Sequence, residues 1–272
     1  MIVESRRTRL RAREVESLDP YQLFAYLGKR VIHPGGRRAT QQLLELAALR
    51  PGMEVLDIGC GVGTTAIQVA SRLGVRVTAA DISPLMLELT RTAVERARAG
   101  HLVEVAEADL TALEYPSGRF DRVFAEAVTM FVDRPTAAAE LVRVCRAGGM
   151  VLATEFLWRR PPVPEARAAF LGEVCPGMTF DTLEDWLSIY RRAGLVDLET
   201  RSGPFEMMTT RGFLEDEGIL NGARVAGRTL SQRACLRRMA WLMPRIAKAV
   251  PYLGYLVVAG RRPAAEEVPI DG

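Results

Sequence analysis

The spacing of apolar and polar residues changes period several times along the chain. Up to residue 50 it reads as helices, and Leu43, Leu44, Leu46 and Leu49 form a half-apolar helical stretch that stops at Pro51-Gly52. A short apolar run at 54–59 then ends in glycines and predicts a strand, followed by a helix over 64–73 and a second strand over 76–81. Ser83-Pro84 is a helix start, with Ser83 as cap and Pro84 in the first turn, and Met86, Leu89, Ala93 and Ala97 share one face. Strands are expected at 102–109, 120–126 and 150–156, with a helix over 135–146 that ends at Gly148-Gly149. The Pro-rich stretch from Arg159 reads as a loop, 183–193 as a helix and 196–201 as a sixth strand. Helices near 211–220 and 230–249, interrupted by Pro244, precede a last strand at 252–261.

Strands that alternate with helices give an α/β fold: a Rossmann-like, seven-stranded, mostly parallel sheet with helices on both faces. The rhythm breaks in two places. Residues 1–40 form an N-terminal helical cap, and 203–251 form a helical insertion before the last strand. The core is then 41–202 with 252–262, and 263–272 is a flexible tail. An ordered insertion of this length is expected to be a lid over a site, with a helical pair that covers a sheet edge as the alternative. Its Phe205, Met207, Met208, Phe213, Met239, Trp241 and Met243 suit an apolar pocket or ordinary helix packing.

Composition adds limits. At 49% hydrophobic and 25% charged residues, the chain is neither disordered nor a disulfide mini-scaffold. A net charge of +3 argues against nucleic acid as a partner. The N-terminal run Arg6, Arg7, Arg9, Arg11, Arg13 reads as a solvated helix, flanked by Glu4 and Glu14. Of 36 basic residues only Lys29 and Lys248 are lysines. Cys60, Cys145, Cys175 and Cys235 show no paired spacing, so no metal site or disulfide framework is expected. The apolar stretch 252–259 is far short of the ~20 residues a membrane helix needs. With no signal-like start, the reading is a cytoplasmic, reduced protein without a membrane partner.

The densest chemical signal is Asp57-Ile58-Gly59-Cys60-Gly61-Val62-Gly63-Thr64, where a strand turns into a helix. Glycines let the turn close and a ligand approach the backbone, and the helix start offers free N–H groups. The spacing is not the GxGxxG of a dinucleotide site, because Thr64 and Ala66 stand where glycines would be needed. An acid two residues before the first glycine would repel a pyrophosphate, yet it could accept from an ammonium. A ligand with an amino-acid end fits better.

With Asp81 ending the second strand, Asp109 in Glu-Ala-Asp-Leu, and the Gly148-Gly149 turn, the chain resembles the class I S-adenosylmethionine-dependent methyltransferases over about residues 40–201 plus the last strand. The resemblance implies S-adenosylmethionine as cofactor and S-adenosylhomocysteine as product. It places the methionine part over Gly59, Gly61 and Gly63 with Asp57 beneath, Asp81 on the ribose hydroxyls, Met86 over the adenine and Asp109 on its amino group. Cys60, Thr64, Ile82, Leu110 and Glu126 complete the implied contacts. Ala147 stands where the family usually has proline.

The acceptor side is expected beyond the fourth strand, at Glu126 to Met130. No Asn/Asp-Pro-Pro-Tyr follows that strand, and Cys175-Pro176 reverses the order a cytosine-carbon enzyme needs, which argues against DNA. Glu126 faces the transferred methyl, binds an amine substrate, or is a strand-end carboxylate that holds backbone donors. His33, in His-Pro-Gly-Gly, resembles the entry segment of a branch of bacterial small-molecule methyltransferases, and serves as a base or as a structural histidine. Tyr21, Tyr26, Met130 and Glu155 are the remaining pocket candidates. Paired thiolates for arsenic would need Cys175 and Cys235 to meet, and neither lies in a cysteine-rich context. The function expected is methyl transfer to a small organic molecule, with RNA or protein methylation, or cofactor binding without transfer, as the alternatives.

Overall fold

The computed structural model describes residues 10–180 and 182–264; Arg6, Arg7, Arg9 and residues 265–272 of the expected tail lie outside the described residues. Seven strands form one sheet in the order β3-β2-β1-β4-β5-β7-β6. They are β1 (Glu54–Ile58), β2 (Arg76–Asp81), β3 (Val103–Glu107), β4 (Phe120–Glu126), β5 (Cys145–Trp158), β6 (Val196–Pro204) and β7 (Leu253–Arg261). Leu56 pairs in parallel with Thr78 on one side and Val123 on the other. β7 alone runs against its neighbours, with Thr154 opposite Val257 and Thr200 opposite Val258. The central strands are buried on both faces, as helices on both sides require: Val55, Leu56, Val123, Phe124, Ala125 and Leu152 are fully buried. β1 lies between β2 and β4, where the order of connection reverses, and ligands bind at the strand ends of such a switch point.

The helices are α1 (Ala12–Ser17), α2 (Pro20–Leu27), α3 (Gly36–Ala47), α4 (Thr64–Leu73), α5 (Pro84–Ala97), α6 (Arg134–Val144), α7 (Pro164–Arg167), α8 (Leu183–Arg192), α9 (Thr210–Ser231) and α10 (Arg233–Ala249). Asp19 caps α2 through the Gln22 N–H at 2.8 Å, and Gly28, at φ 98°, ends it. Ser83 caps α5, as its sequence indicates.

Several boundaries differ from the sequence reading, each for a local reason. β3 stops at Glu107, so Asp109 stands in the following loop, where its carboxylate accepts from the Thr111 N–H and hydroxyl. The Gly148-Gly149 turn lies inside β5, because Gly148 N–H donates to the Arg262 carbonyl and Arg262 N–H to that of Gly149. The Pro-rich stretch after Arg159 leads into α7 and a π-helical turn, Ala168–Val174, rather than remaining a loop. α10 runs through Pro244 without a break. α9 is two helical stretches that meet at a kink at Gly218, whose non-helical φ of 69° and ψ of 168° suit only glycine. Among the described residues, no helix is long and apolar enough to cross a membrane.

Candidate functional site

A cavity of about 1010 Å³ opens where β1 and β4 end. Its floor is the glycine turn, which the backbone shapes closely. Gly59 takes φ +71°, and a Cβ there would meet the Val128 side chain at 2.7 Å. Gly61 takes φ +56° with open space in front of it, so its backbone faces the cavity bare. The Thr90 hydroxyl fixes the turn from below, donating to the Gly61 carbonyl at 2.7 Å. Ala127, just after β4, holds a left-handed φ of 60°, strain of the kind that collects at binding sites.

Asp57, Gly59, Cys60, Gly61, Thr64, Asp81, Ile82, Met86, Asp109, Leu110 and Glu126 all border this one cavity, with His33 and Tyr21 from the N-terminal segment. Asp81 Oδ2 accepts from Gly61 N–H and Oδ1 from Ser83 N–H, both at 2.9 Å. Burial pushes its carboxyl up, and these N–H donors partly offset that. Each oxygen retains a lone pair for a further donor. Asp57 is buried with Oδ2 unpartnered. Burial first, then the charges of Glu126 and Asp81, hold its carboxyl well above the usual range. A cationic group beside it would relieve both effects. Ile82 is 61% exposed, and Met86 packs with Ala25 and Leu89 where α2 meets α5.

Glu126 does not hold backbone donors. Its Oε1 accepts from the Thr65 hydroxyl at 2.6 Å and its Oε2 from the Thr40 hydroxyl at 2.9 Å. His33 Nε2 lies 3.0 Å from Thr40 Oγ1 and 3.5 Å from Glu126 Oε2, while its Nδ1 is buried without a partner. With Nε2–H donating to Thr40, Nδ1 carries a free lone pair. Thr40 and Thr65 were not singled out from the sequence; the one signal is that each follows a glycine by a few residues at a helix start. Tyr21 and Phe131 meet edge to face at 5.1 Å and, with Val132, Val174, Cys175 and Pro176, form an apolar wall. Burial pushes the Cys175 thiol up to about 12, so it stays neutral there.

Four expected site residues do not border the cavity. Gly63 starts α4 from beneath the turn, at φ +74° and packed against Thr90. Tyr26 turns its hydroxyl the other way, to Leu10 N–H and Gln232 Nε2. Met130 is fully buried, because the turn Thr129–Phe131 points it into the core. Glu155 is fully buried as well, accepting from Thr129 and from the Tyr190 hydroxyl on α8. Nor does any residue of 203–251 border it. Phe205 and Met207 are in the main core, where they pack like ordinary apolar side chains.

Residues 55–149 match a sequence family described as "Methyltransferase domain". The 27-O-demethylrifamycin SV methyltransferase of Amycolatopsis mediterranei is 30% identical over 231 residues, 83% of this chain and 83% of its own length. A methyltransferase from Geobacter sulfurreducens, solved with S-adenosyl-L-homocysteine, superposes with a TM-score of 0.68 at 22% identity, over 89% of this chain and 98% of that one. The cyclase SpnF shares the fold too, with a TM-score of 0.70 at 22% identity over 90% of this chain and 94% of its own.

Proposed function

The chain belongs to the class I S-adenosylmethionine-dependent methyltransferases, and on that footing we propose that it methylates a small organic acceptor in the cavity at the strand ends, mainly by positioning and desolvation. The observation that carries the reading is that one cavity joins the cofactor acids to an apolar wall through a single polar contact group, His33, Thr40 and Glu126. The cofactor fits the donor set: Asp57 has a buried oxygen without a partner, and Gly61 leaves its backbone open. When bound, S-adenosylmethionine supplies a methyl group already activated by a sulfonium.

The residues divide the work. Asp57, with Gly59, Cys60, Gly61 and Thr64 around it, would hold the cofactor's ammonium end. Asp81 would accept from its ribose hydroxyls. Ile82, Met86, Asp109 and Leu110 would hold its adenine. Tyr21, Phe131 and Val174 to Pro176 hold an apolar acceptor and exclude water. For an acceptor hydroxyl, His33 Nδ1 takes the proton, and Glu126, held by Thr40 and Thr65, favours the imidazolium that forms. An acceptor that attacks without losing a proton needs only the positioning.

Two measurements test this. Asp81→Ala should weaken S-adenosylhomocysteine binding about tenfold or more by calorimetry, since a charged acceptor to two hydroxyls is lost. Unchanged affinity would remove Asp81 from the cofactor site. Metabolite pools incubated with methyl-labelled cofactor should yield a labelled small molecule. Label in RNA or protein instead overturns the acceptor class, and binding without any labelled product favours a cofactor-binding protein without transfer.

A further inference from the structure

The insertion does not touch the cavity, yet it grips the loop that does. Lys29, one of the chain's two lysines, is 2% exposed, and Asp216 and Glu217 on α9 are 4% and 2% exposed. Lys29 Nζ lies 3.7 Å from Asp216 Oδ2 and 3.8 Å from Glu217 Oε1, and donates to the Val31 carbonyl at 2.7 Å. Glu217 Oε1 accepts from the N–H groups of Arg30 and Val31, at 2.8 and 3.1 Å. Its Oε2 accepts from Arg30 Nε and from Asn221 Nδ2, which also reaches the Gly28 carbonyl. Asp216 Oδ1 accepts from the Arg37 N–H at 2.8 Å. So two adjacent acids, presented by the bend at Gly218, hold both ends of residues 30–37.

Two more observations make this a built contact. A Cβ on Gly36 would stand 2.3 Å from Asp216 Oδ1, so the close approach depends on that glycine. The loop's other side rests on the cofactor turn, because the Thr64 hydroxyl donates to the Arg30 carbonyl at 2.6 Å. Arg30, Val31, Ile32, His33 and Arg37 all border the cavity. We propose that Lys29, Asp216 and Glu217 are positioning residues: a buried charged latch through which the helical insertion holds the His33 loop over the bound cofactor and slows its release. The proposal rests on the cofactor assignment made above. It gives the insertion a role that acts from behind the site. A compact ammonium suits the point between two carboxylates, where a planar guanidinium would need more room.

The full-length chain carrying Glu217→Gln tests it. Hydrogen exchange of residues 28–37, measured without ligand, should quicken at least tenfold while β1 and β4 stay as protected as in the parent. S-adenosylhomocysteine should leave about tenfold faster, and KM for the cofactor should rise more than kcat falls. Asn221→Ala, a milder change at a half-buried position, should move the same readouts about threefold, and serves if Glu217→Gln does not fold. A folded variant with exchange at 28–37 and cofactor release both within twofold of the parent overturns the latch, even if its Tm falls. A parent that does not bind S-adenosylhomocysteine refutes the cofactor assignment instead, and the ligand-free exchange still judges the latch.

Discussion

Glu155→Gln separates a buried carboxyl that sets stability from one that serves the site. Glu155 is fully buried near the C-terminal end of β5, accepts from Thr129 and Tyr190, and leaves Oε2 unpartnered. Burial pushes its carboxyl up to about 8, against the pull of the Thr129 and Tyr190 hydrogen bonds and the Arg134 charge. In the unfolded chain it ionises near 4.3. The folded state therefore binds the extra proton between those values. The stability this contributes is complete below the unfolded value and is lost as pH rises through the folded one. The loss is about 1.4 kcal/mol per pH unit, which reaches about 4 kcal/mol between pH 5 and pH 8 at full coupling. Glutamine reproduces the neutral acid in shape and hydrogen bonding without this dependence. The variant's Tm should match the parent's within a few degrees at pH 5 and exceed it by roughly 5–10 °C at pH 8. Cofactor affinity should be unchanged at both, since Glu155 lies outside the cavity. A Tm difference that stays flat from pH 5 to pH 8, by scanning calorimetry, refutes the assignment of a neutral buried carboxyl.

Three further outcomes follow from the site geometry. Gly59→Ala, with its Cβ driven into Val128 at a left-handed φ, should lower stability by about 2–5 kcal/mol and sharply weaken cofactor binding. Gly61→Ala meets open space and should show only the smaller left-handed penalty of about 1–2 kcal/mol in denaturant titrations; equal losses would undercut the close-packed floor. For an acceptor that must lose a proton, His33→Ala should reduce kcat by about 10²–10⁴, with cofactor affinity within about threefold. Turnover within threefold of the parent would leave His33 a structural residue.

The structure also gives the arginines a use. Guanidinium groups repeatedly fasten loose carbonyls: Arg122 to Ala47, Arg143 to Leu113 and Tyr115, Arg262 to Val142, Arg143 and Cys145. On the insertion, Arg228 reaches the Leu27 carbonyl and Arg238 that of Leu18, so the cap is tied down from the same side as the latch. A fork of several donors on one planar group can serve several acceptors, which a lysine in those positions could not match.

What the sequence determined by itself was local or periodic. The glycine turn after β1 needs left-handed backbone and no side chain, and Asp57, Asp81 and Glu126 stand at the ends of short apolar runs. Strand ends in a parallel sheet gather at one edge, so those acids were bound to meet once the alternation of strands and helices was recognised. Partner choice across the chain was not legible. Thr40 is 86 residues from Glu126, and Glu217 is 187 residues from Arg30. A period of 3.6 says which face of a helix is buried but not what it is buried against. The soft residues of the insertion suited both a pocket and ordinary helix packing for that reason. Only the tertiary structure decided that the insertion packs behind the site and that two buried acids on it hold the loop in front, because the desolvation of those charges is met by backbone donors that sequence spacing never brings together.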